Sequence, residues 1–201
     1  LQAGKADLIV TAEGGTFLQP EAFPETDVRQ KLERTPHLRG VAPRLLGIVP
    51  TISGGIDTFT VLLGLDPKRE RELDISGLVP EPALHDGTCA VSRPLAKKLN
   101  LRQGGELLLR ATGSGEMLTL RVATILERQL ILPQEVKDYV VVKEAAARAL
   151  LNEPFMVHAL AGALHDPARY YDARDLNASV RQLKDAGAAV AADLGSGYDI
   201  R

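Results

Sequence analysis

The stretch ELLLRATGSGEMLTLRVATIL, residues 106–126, predicts a β-hairpin and places this chain among proteins with a substantial β-sheet. Glu106 to Thr112 forms the first arm and Met117 to Leu126 the second, with Gly113-Ser114-Gly115 as the turn between them. In the second arm, apolar residues alternate with polar or small ones, which is the pattern of a strand with one buried face. We therefore expect a β-rich centre in the chain.

The first third of the chain predicts a strand, a helix and two extended segments. Asp7 to Ala12 is a short apolar run that stops before a glycine pair, which is typical of a strand. A helix opens at Thr26 or Asp27, where a side-chain oxygen can cap it. The two extended segments are Val41–Val49 and Thr58–Leu63, with a Ser-Gly-Gly turn between them.

The segments around the hairpin predict alternating strands and short helices. Cys89-Ala90-Val91 indicates a strand, after which Ser92 caps a short helix. Asn100 can take the left-handed conformation that ends this helix. Beyond the hairpin, Tyr139–Val142 predicts another strand, which leads directly into an Ala-rich helix over residues 144–151.

The last third of the chain repeats the pattern of the first. Phe155 to Ala163 predicts a strand, and residues 173–186 predict a helix with Gly187 as its C-cap. An Ala-rich segment, residues 188–192, is the expected closing strand. Residues 195–201 are expected to be a flexible tail.

Strand–helix–strand units therefore bracket a β-rich middle. Two such units pack naturally as a ferredoxin-like split βαβ layer, which makes the predicted fold class α+β. We expect residues 1–64 and 152–201 to form this layer, and residues 65–151 to form an inserted β-rich lobe. In this arrangement the two chain ends lie on the same lobe, near each other.

The composition excludes several classes of protein. The chain has 201 residues, of which 45% are hydrophobic and 25% charged, as in an ordinary globular domain. A net charge of −2 argues against a nucleic-acid partner, since phosphate binding needs concentrated Lys and Arg. The single cysteine, Cys89, permits no internal disulfide and is expected to be a small core residue.

No apolar run approaches the roughly 20 residues needed to cross a bilayer. The chain opens with Leu1 rather than Met and enters a strand at once. Both an excised segment of a longer protein and a processed mature protein fit this start. The cluster Lys68-Arg69-Glu70-Arg71-Glu72 has nearly balanced signs and is expected to be solvated.

The sequence contains no recognisable catalytic or cofactor-binding motif. It has neither GxGxxG nor GxxxxGK[ST], the two glycine-rich loops that cradle phosphates. Gly14-Gly15-Thr16 and Ser53-Gly54-Gly55 are expected to be simple turns. Ser114 and Ser196 each lie between glycines but outside a GxSxG nucleophile elbow. We predict no catalytic, cofactor-binding or metal-binding residue.

Three weaker candidates for chemistry have structural explanations. His85-Asp86 and His165-Asp166 could meet in space and bind a metal, but each aspartate is also suited to begin a turn. Asp66 precedes a proline and is expected to be a turn residue rather than a catalytic carboxylate. Tyr170-Tyr171 is either a half-buried structural pair or an exposed contact site.

Three stretches of the chain, in order, are Ala6–Ala12, Val61–Pro67 and Val91–Leu107. Together they resemble the MacB-like periplasmic core domain of FtsX-like ABC transporter permeases. The first resembles the strand that follows the first membrane helix in that family, and the second its hydrophobic-Gly-hydrophobic-Asp-Pro turn. The third resembles its strand, short helix and entry into a hairpin, with Gly105-Glu106 where the family usually has Gly-Asp.

The resemblance implies a place in the cell membrane, with this domain on the extracytoplasmic face. It implies a membrane helix before Leu1 and three more after Arg201, a cytoplasmic ATPase partner and a second permease copy. It also implies that the split βαβ layer is porter-like and that the insertion is sabre-like. Such a domain engages an outer protein, lipoprotein or peptide and transmits ATP-driven movement, with no catalytic residue of its own.

Two other classes remain open on the residues alone. The run from Leu99 to Glu106 followed by a hairpin also resembles the small barrels of AbrB-like DNA-binding domains. Such a standalone binding module needs a basic face, for which Lys97, Lys98 and Arg102 are few. A metal-dependent hydrolase that uses the two His-Asp pairs is the third alternative.

Overall fold

The structure is a computed structural model and describes residues 6–15, 20–75, 84–127, 132, 136–166, 170 and 174–200. The described helices are α1 (Glu25–Glu33), α2 (Pro67–Glu72), α3 (Arg93–Lys98), α4 (Glu144–Leu151) and α5 (Leu176–Leu194). The described strands are β1 (Leu8–Ala12), β2 (Phe23–Pro24), β3 (Leu38–Ser53), β4 (Ile56–Leu65), β5 (Thr88–Ser92), β6 (Glu106–Arg110), β7 (Met117–Leu126), β8 (Tyr139–Lys143), β9 (Met156–Val157), β10 (Ala159–Leu164) and β11 (Tyr198–Ile200). Within these ranges, no helix combines the length and the apolar character required to cross a membrane.

One half of the sheet has the predicted ferredoxin-like arrangement, and we call it the ferredoxin-like lobe. Its strands lie in the order β11-β1-β10-β3, and each is antiparallel to its neighbour. β1 and β3 are therefore parallel, with β10 between them, and α1 connects them. β10 and β11 are likewise parallel, with β1 between them, and α5 connects them. Two interleaved split βαβ units confirm the predicted α+β fold class.

The other half of the sheet closes on itself, and we call it the barrel. Its strands follow the order β3-β4-β8-β5-β7-β6, and β6 pairs again with β3 through Ile52 and Leu108. The predicted hairpin is confirmed, since β6 and β7 pair from Glu106–Arg121 to Arg110–Met117. The interior is filled by buried aliphatic side chains from the strands, with α3 and α4 contributing apolar residues at the ends. These residues include Leu45, Val49, Leu62, Leu95, Leu107, Leu120, Val140 and Leu150.

Strand β3 belongs to both lobes. Its first part pairs with β10. Its second part, from Arg44 to Ser53, forms a hairpin with β4 and pairs with the whole of that strand. Sixteen residues of extended chain span about 50 Å. The side chains of Leu45, Val49 and Leu62 point into the barrel core, so the distal part of the β3–β4 hairpin packs with the inserted segment. The boundaries at residues 64/65 and 151/152 remain a prediction.

The C-terminal segment corrects three expectations. Gly187 does not end the last helix, and residues 188–192 are not a strand, because α5 continues to Leu194. The Ala-rich segment has high helix propensity, and Ala186, Val190 and Leu194 extend one buried face at helical spacing. The helix ends at Gly195, where φ is 84°. The expected flexible tail instead supplies β11, the closing strand of the ferredoxin-like lobe.

Candidate functional site at the junction of the two lobes

The junction is centred on Arg44, where β3 passes from one lobe into the other. Arg44 pairs with Ala159 of β10 on one side and with Leu65 of β4 on the other. Its buried side chain donates from Nε to Oε1 of Glu70 across 3.0 Å. The point where the sheet divides therefore holds the positive charge of Arg44 and the negative charge of Glu70.

Glu70 overturns the expectation that the mixed-charge cluster is solvated throughout. The cluster forms α2, and the Glu70 side chain is 0% exposed. Leu73 and Ile75, which follow on the same side of the chain, are also buried. The spacing of Glu70 three residues before Leu73 was the available sequence signal, because positions i and i+3 share a helix face. Only an internal cation makes such burial of a carboxylate tolerable.

His158 joins the junction from the short break between β9 and β10. Its backbone N–H donates to the Arg44 carbonyl at 3.1 Å, and its ring Nδ1 accepts from the Leu46 N–H at 3.2 Å. An accepting Nδ1 places the proton of the neutral ring on Nε2, which lies 3.3 Å from Oε2 of Glu153. Burial lowers the pKa of His158 to about 4, so the ring is neutral at pH 7.

Burial acts on Glu153 as well, and raises the pKa of its carboxyl, while the charge of Arg148 opposes that rise. The neutral ring of His158 therefore serves as a fixed hydrogen-bond acceptor for β3 rather than as a charged partner. The sequence offered no signal for this role, because Leu46 and His158 are 112 positions apart.

Arg148 of α4 links the barrel to the ferredoxin-like lobe. Its guanidinium forms an ion pair with Glu25, the first residue of α1, and another with Glu144 at 2.7 Å. Nη1 donates to the carbonyl oxygens of Glu153, Pro154 and Met156 at 3.0 to 3.3 Å. One side chain thus ties together a barrel helix, a helix of the other lobe and the segment that connects them.

Further ion pairs continue from Arg148 along the junction. Glu25 also accepts from Arg29 at 2.8 Å, and Arg29 lies 3.9 Å from Glu33. Glu33 in turn accepts from Arg69 of α2 at 3.0 Å. Alternating charges therefore run from α4 through α1 to α2, along a surface groove of about 410 Å³. Because these outer pairs are partly exposed, each contributes little alone, about 0–1 kcal/mol.

Two glycines let α4 lie directly against the β3–β4 hairpin. A Cβ atom at Gly64 would lie 2.2 Å from Cβ of Ala147, and one at Gly47 would lie 2.4 Å from Cδ2 of Leu151. The Cβ of Ala147 is fixed to the helix backbone, so Gly64 needs glycine because of close approach, whereas the end of the Leu151 side chain could move aside at Gly47. Gly64 belongs to the hydrophobic-Gly-hydrophobic-Asp-Pro turn, which gives that motif a structural reason. The junction is closely packed and densely bonded.

The residues that the sequence singled out for chemistry do not come together. His85 and Asp86 precede β5 in the barrel, where Lys143 holds the pKa of Asp86 below its usual range. His165 follows β10 in the ferredoxin-like lobe, and its backbone N–H donates to the backbone carbonyl of His37. Among the described residues, no group of three or more His, Cys, Asp or Glu side chains is arranged to hold a metal ion.

The remaining candidates have local structural roles. Asp66 caps α2, accepting from the N–H groups of Lys68 and Arg69. Ser114 lies at the exposed hairpin tip, and its hydroxyl accepts from the Glu116 N–H. Ser196 is an exposed turn residue between glycines with positive φ. Burial raises the pKa of the Cys89 thiol to about 12, which removes it as a thiolate nucleophile.

The basic and aromatic candidates are dispersed. Lys97, Lys98 and Arg102 are exposed, and Lys98 forms an ion pair with Asp138 at 2.8 Å. The charge available to a phosphate backbone at this position is therefore small. Tyr170 is half-buried beside the ferredoxin-like core. Tyr171 and Thr16 lie outside the described residues.

Comparisons with solved structures find the same fold in transporter domains. The periplasmic region of MacB from Actinobacillus actinomycetemcomitans superposes with a TM-score of 0.59 at 9% identity, over 98% of this chain and 89% of that one. The extracellular domain of the noncanonical ABC-type transporter YknZ from Gram-positive bacteria gives 0.59 at 14% identity, over 96% and 98%. No protein-family model and no curated protein matches the sequence. The chain has the fold of the MacB-like periplasmic domain, which confirms the resemblance at the level of the fold.

Proposed function

We propose that this chain is the extracytoplasmic domain of an ABC transporter permease, which binds an outer partner and transmits ATP-driven movement to it. It acts on the periplasmic or extracellular face of the cell membrane and catalyses no reaction. The observation that carries this proposal is the sharing of β3 between the two lobes, with Arg44 paired on both sides. A strand continuous through two lobes conveys displacement from one to the other.

The positions of β1 and β11 support the route by which movement enters. The two strands are antiparallel neighbours, with Val10 opposite Ile200. The start of β1 and the end of β11 therefore lie side by side at one edge of the sheet. Two membrane helices attached there would displace both strands together, and β10 would pass that displacement to β3.

The ion pairs of the junction support the transmission step. If the lobes were joined by a single flexible strand, a tilt of one would be absorbed by bending. Arg148–Glu25 and Arg44–Glu70 add side-chain connections on either side of β3. A small rotation at the ferredoxin-like lobe then becomes a larger displacement at the distal end of the barrel, as in a hinge-and-lever movement of packed domains.

The partners follow from this role. Within the permease, the membrane part connects the domain to a cytoplasmic ABC ATPase, and a second permease copy completes the transporter. The outer partner is a protein, lipoprotein or peptide met by the inserted lobe, residues 65–151, while residues 1–64 and 152–201 form the porter-like lobe. Nucleic acid, metal and cofactor have no part in the proposal.

The test uses the complete permease, embedded in lipid together with its ATPase. Spin labels on an S114C variant report the distance between the hairpin tips of two copies. We expect ATP to change this distance in the otherwise unaltered protein, and the change to shrink when Glu25→Gln and Arg148→Gln are combined. Arg93→Gln is the matched control. It breaks an exposed ion pair with Glu127, and both of these residues belong to the barrel, so no connection between the lobes is lost. A tip distance that is indifferent to nucleotide would refute the proposal.

A further inference from the structure

The distal part of β4 has a free backbone edge. The β3–β4 turn consists of Gly54 and Gly55, both with positive φ, which makes Ser53 and Ile56 the closing hydrogen-bonded pair of a two-residue hairpin. In an antiparallel ladder, hydrogen-bonded and non-hydrogen-bonded pairs alternate. Ile56 and every second residue after it are therefore bonded to β3. The residues between them direct their N–H and C=O groups away from β3.

Asp57, Phe59 and Val61 are these outward-directed residues. Val61 shows the consequence, because its N–H donates to the Asp138 carbonyl on the side of β8 at 3.1 Å. The pairing with β8 begins only at Val61, opposite Tyr139. No group in the described part of the chain bonds the outward N–H and C=O of Asp57 and Phe59. Among the described residues, β4 thus projects beyond β8 with one side unpaired.

The side chains on this part of β4 are those of an unprotected edge. Phe59 is 70% exposed and Ile56 is 42% exposed, and Ile48 of β3 adds a further exposed apolar surface on the same face as Phe59. Natural edge strands are usually blunted by Lys, by Pro or by a bulge. Here the β3–β4 register runs without a shift from Arg44 to Ser53. The sole charge on the edge is the exposed carboxylate of Asp57.

We propose that the free edge of β4 at Asp57 and Phe59 binds an extended segment of a partner polypeptide as an added strand. The outward backbone groups bond its main chain, and the ring of Phe59 packs against one apolar side chain of the segment. The carboxylate of Asp57 selects a Lys or Arg in that segment. This inference deepens the proposed function by giving the outer partner a chemistry. It extends the partner-binding surface from residues 65–151 to the distal β3–β4 hairpin, which packs with that segment. It rests on the proposed function only for the compartment in which the partner is met.

A second copy of the chain fits this edge less well. Self-pairing would set the Asp57 carboxylate against its own counterpart or against an aromatic ring, without a cation in either register. Two residues with outward groups also provide little area, whereas stable interfaces bury about 1,200 Å² or more. A single short peptide segment with one basic residue matches both the charge and the short length of the edge.

The test selects random eight-residue peptides, displayed on phage, on the immobilised chain, and then titrates the enriched peptides as synthetic compounds. We expect enriched sequences to carry an apolar residue and a Lys or Arg two positions apart, because Asp57 and Phe59 lie on the same face of β4. Asp57→Pro removes one outward N–H and the carboxylate, but no bond to β3, and should weaken binding at least about tenfold. In hydrogen exchange, the Asp57 and Phe59 amides should become at least about tenfold more protected with peptide bound.

Met117→Ser is the matched control, because Met117 is as exposed as Ile56 but lies on β7, away from this edge. It should leave binding unchanged. The proposal is overturned if no peptide is enriched, if Asp57→Pro binds as tightly as the unaltered chain, or if both variants weaken binding equally. It is also overturned if the chain self-associates and Asp57→Pro abolishes the dimer. These outcomes are independent of the nucleotide-driven distance change that tests the proposed function.

Discussion

Arg44 and Glu70 form an ion pair that is closed off from solvent at the point where the sheet divides into two lobes. Nε of Arg44 lies 3.0 Å from Oε1 of Glu70, while Nη2 and Oε2 of the same pair have no hydrogen-bond partner among the described residues. Removing one charge would leave the other buried and uncompensated. The pair thus joins α2 to β3 through two charges that each depend on the other.

We expect Glu70→Gln and Arg44→Met, each alone, to lower the free energy of unfolding by about 3–5 kcal/mol. The double variant, Arg44→Met with Glu70→Leu, should recover most of that loss, because neither charge is then left unpaired. Urea unfolding measures all three. Glu72→Gln, on the same helix but exposed, should change stability by less than about 0.5 kcal/mol. A double variant as unstable as the single ones would contradict this account.

The contact between α4 and the β3–β4 hairpin predicts a steric effect at Gly64. A methyl group there would lie 2.2 Å from Cβ of Ala147, so Gly64→Ala must displace the helix. We expect a loss of about 1–3 kcal/mol in the free energy of unfolding. Adding Ala147→Gly should restore part of the lost stability by removing the clash. The recovery is reduced by about 1 kcal/mol, because glycine is unfavourable inside a helix.

Gly115→Ala supplies a control of a different kind for this experiment. Gly115 has a φ of 73°, with no atom near the position of a Cβ. Any loss there comes from backbone strain alone, and Ala147→Gly should not restore it. Equal rescue of both variants by Ala147→Gly would show that the steric explanation of Gly64 is wrong.

His158 predicts a dependence of stability on pH. Its pKa is about 4 in the folded chain, below the ordinary value of 6.5, so the unfolded chain binds more protons between these values. Stability from this group is therefore complete above about pH 6.5 and is lost as the pH falls towards 4, with a slope of up to about 1.4 kcal/mol per pH unit. Glu153 and Asp7, whose carboxyl pKa values are raised by burial, act in the opposite direction.

The contribution of His158 is isolated by difference. Urea unfolding from pH 4 to 7 is compared between the unaltered chain and His158→Gln, and the slope described above should disappear in the variant. His85→Gln is the control, since His85 is exposed. If the slope survived in His158→Gln and disappeared in His85→Gln, the pH dependence would come from His85 and the assignment to His158 would be wrong.

Cys89 predicts a thiol that reports unfolding. Its side chain is buried in the barrel core, and burial raises its pKa to about 12. Reaction with iodoacetamide at pH 8 should therefore be at least about a hundredfold slower in the folded chain than in urea. Ser114→Cys places a second thiol at the exposed hairpin tip, which should react at once. Rapid labelling of Cys89 without denaturant would mean that the barrel opens readily.

Several local sequence signals predicted the local structure correctly. The cap at Ser92, the left-handed residue Asn100 and the helix over 144–151 are as expected, and the hairpin at residues 106–126 is present, with its first strand ending at Arg110 rather than Thr112. Each depends on turn chemistry or periodicity within a few residues. The expected cap at Thr26 or Asp27 is wrong, because α1 begins at Glu25 without a side-chain cap. Gly187 misled because a glycine near the expected end of a helix resembles a cap, while the alanines beyond it continued the helix.

The junction could not be predicted in the same way. Arg44 and Glu70 are 26 positions apart, and Arg148 and Glu25 are 123 apart. Which charges meet across such separations is decided by the arrangement of the lobes and not by neighbouring residues. The sequence therefore predicted an absence of catalytic motifs and a two-lobed layout, but not the contacts that join the lobes.

The order of the strands along the chain has a consequence for biosynthesis. β3 to β8 and α4 all lie between residues 38 and 151, so the residues of the closed barrel are all made before β10 and β11. β1 precedes the barrel in the chain, yet its sheet partners are β10 and β11, which follow it. A chain growing from its N-terminus thus carries an unpaired apolar strand, Leu8–Ala12, until β10 and β11 have been made. During that interval this strand is exposed to association with other chains or with a chaperone.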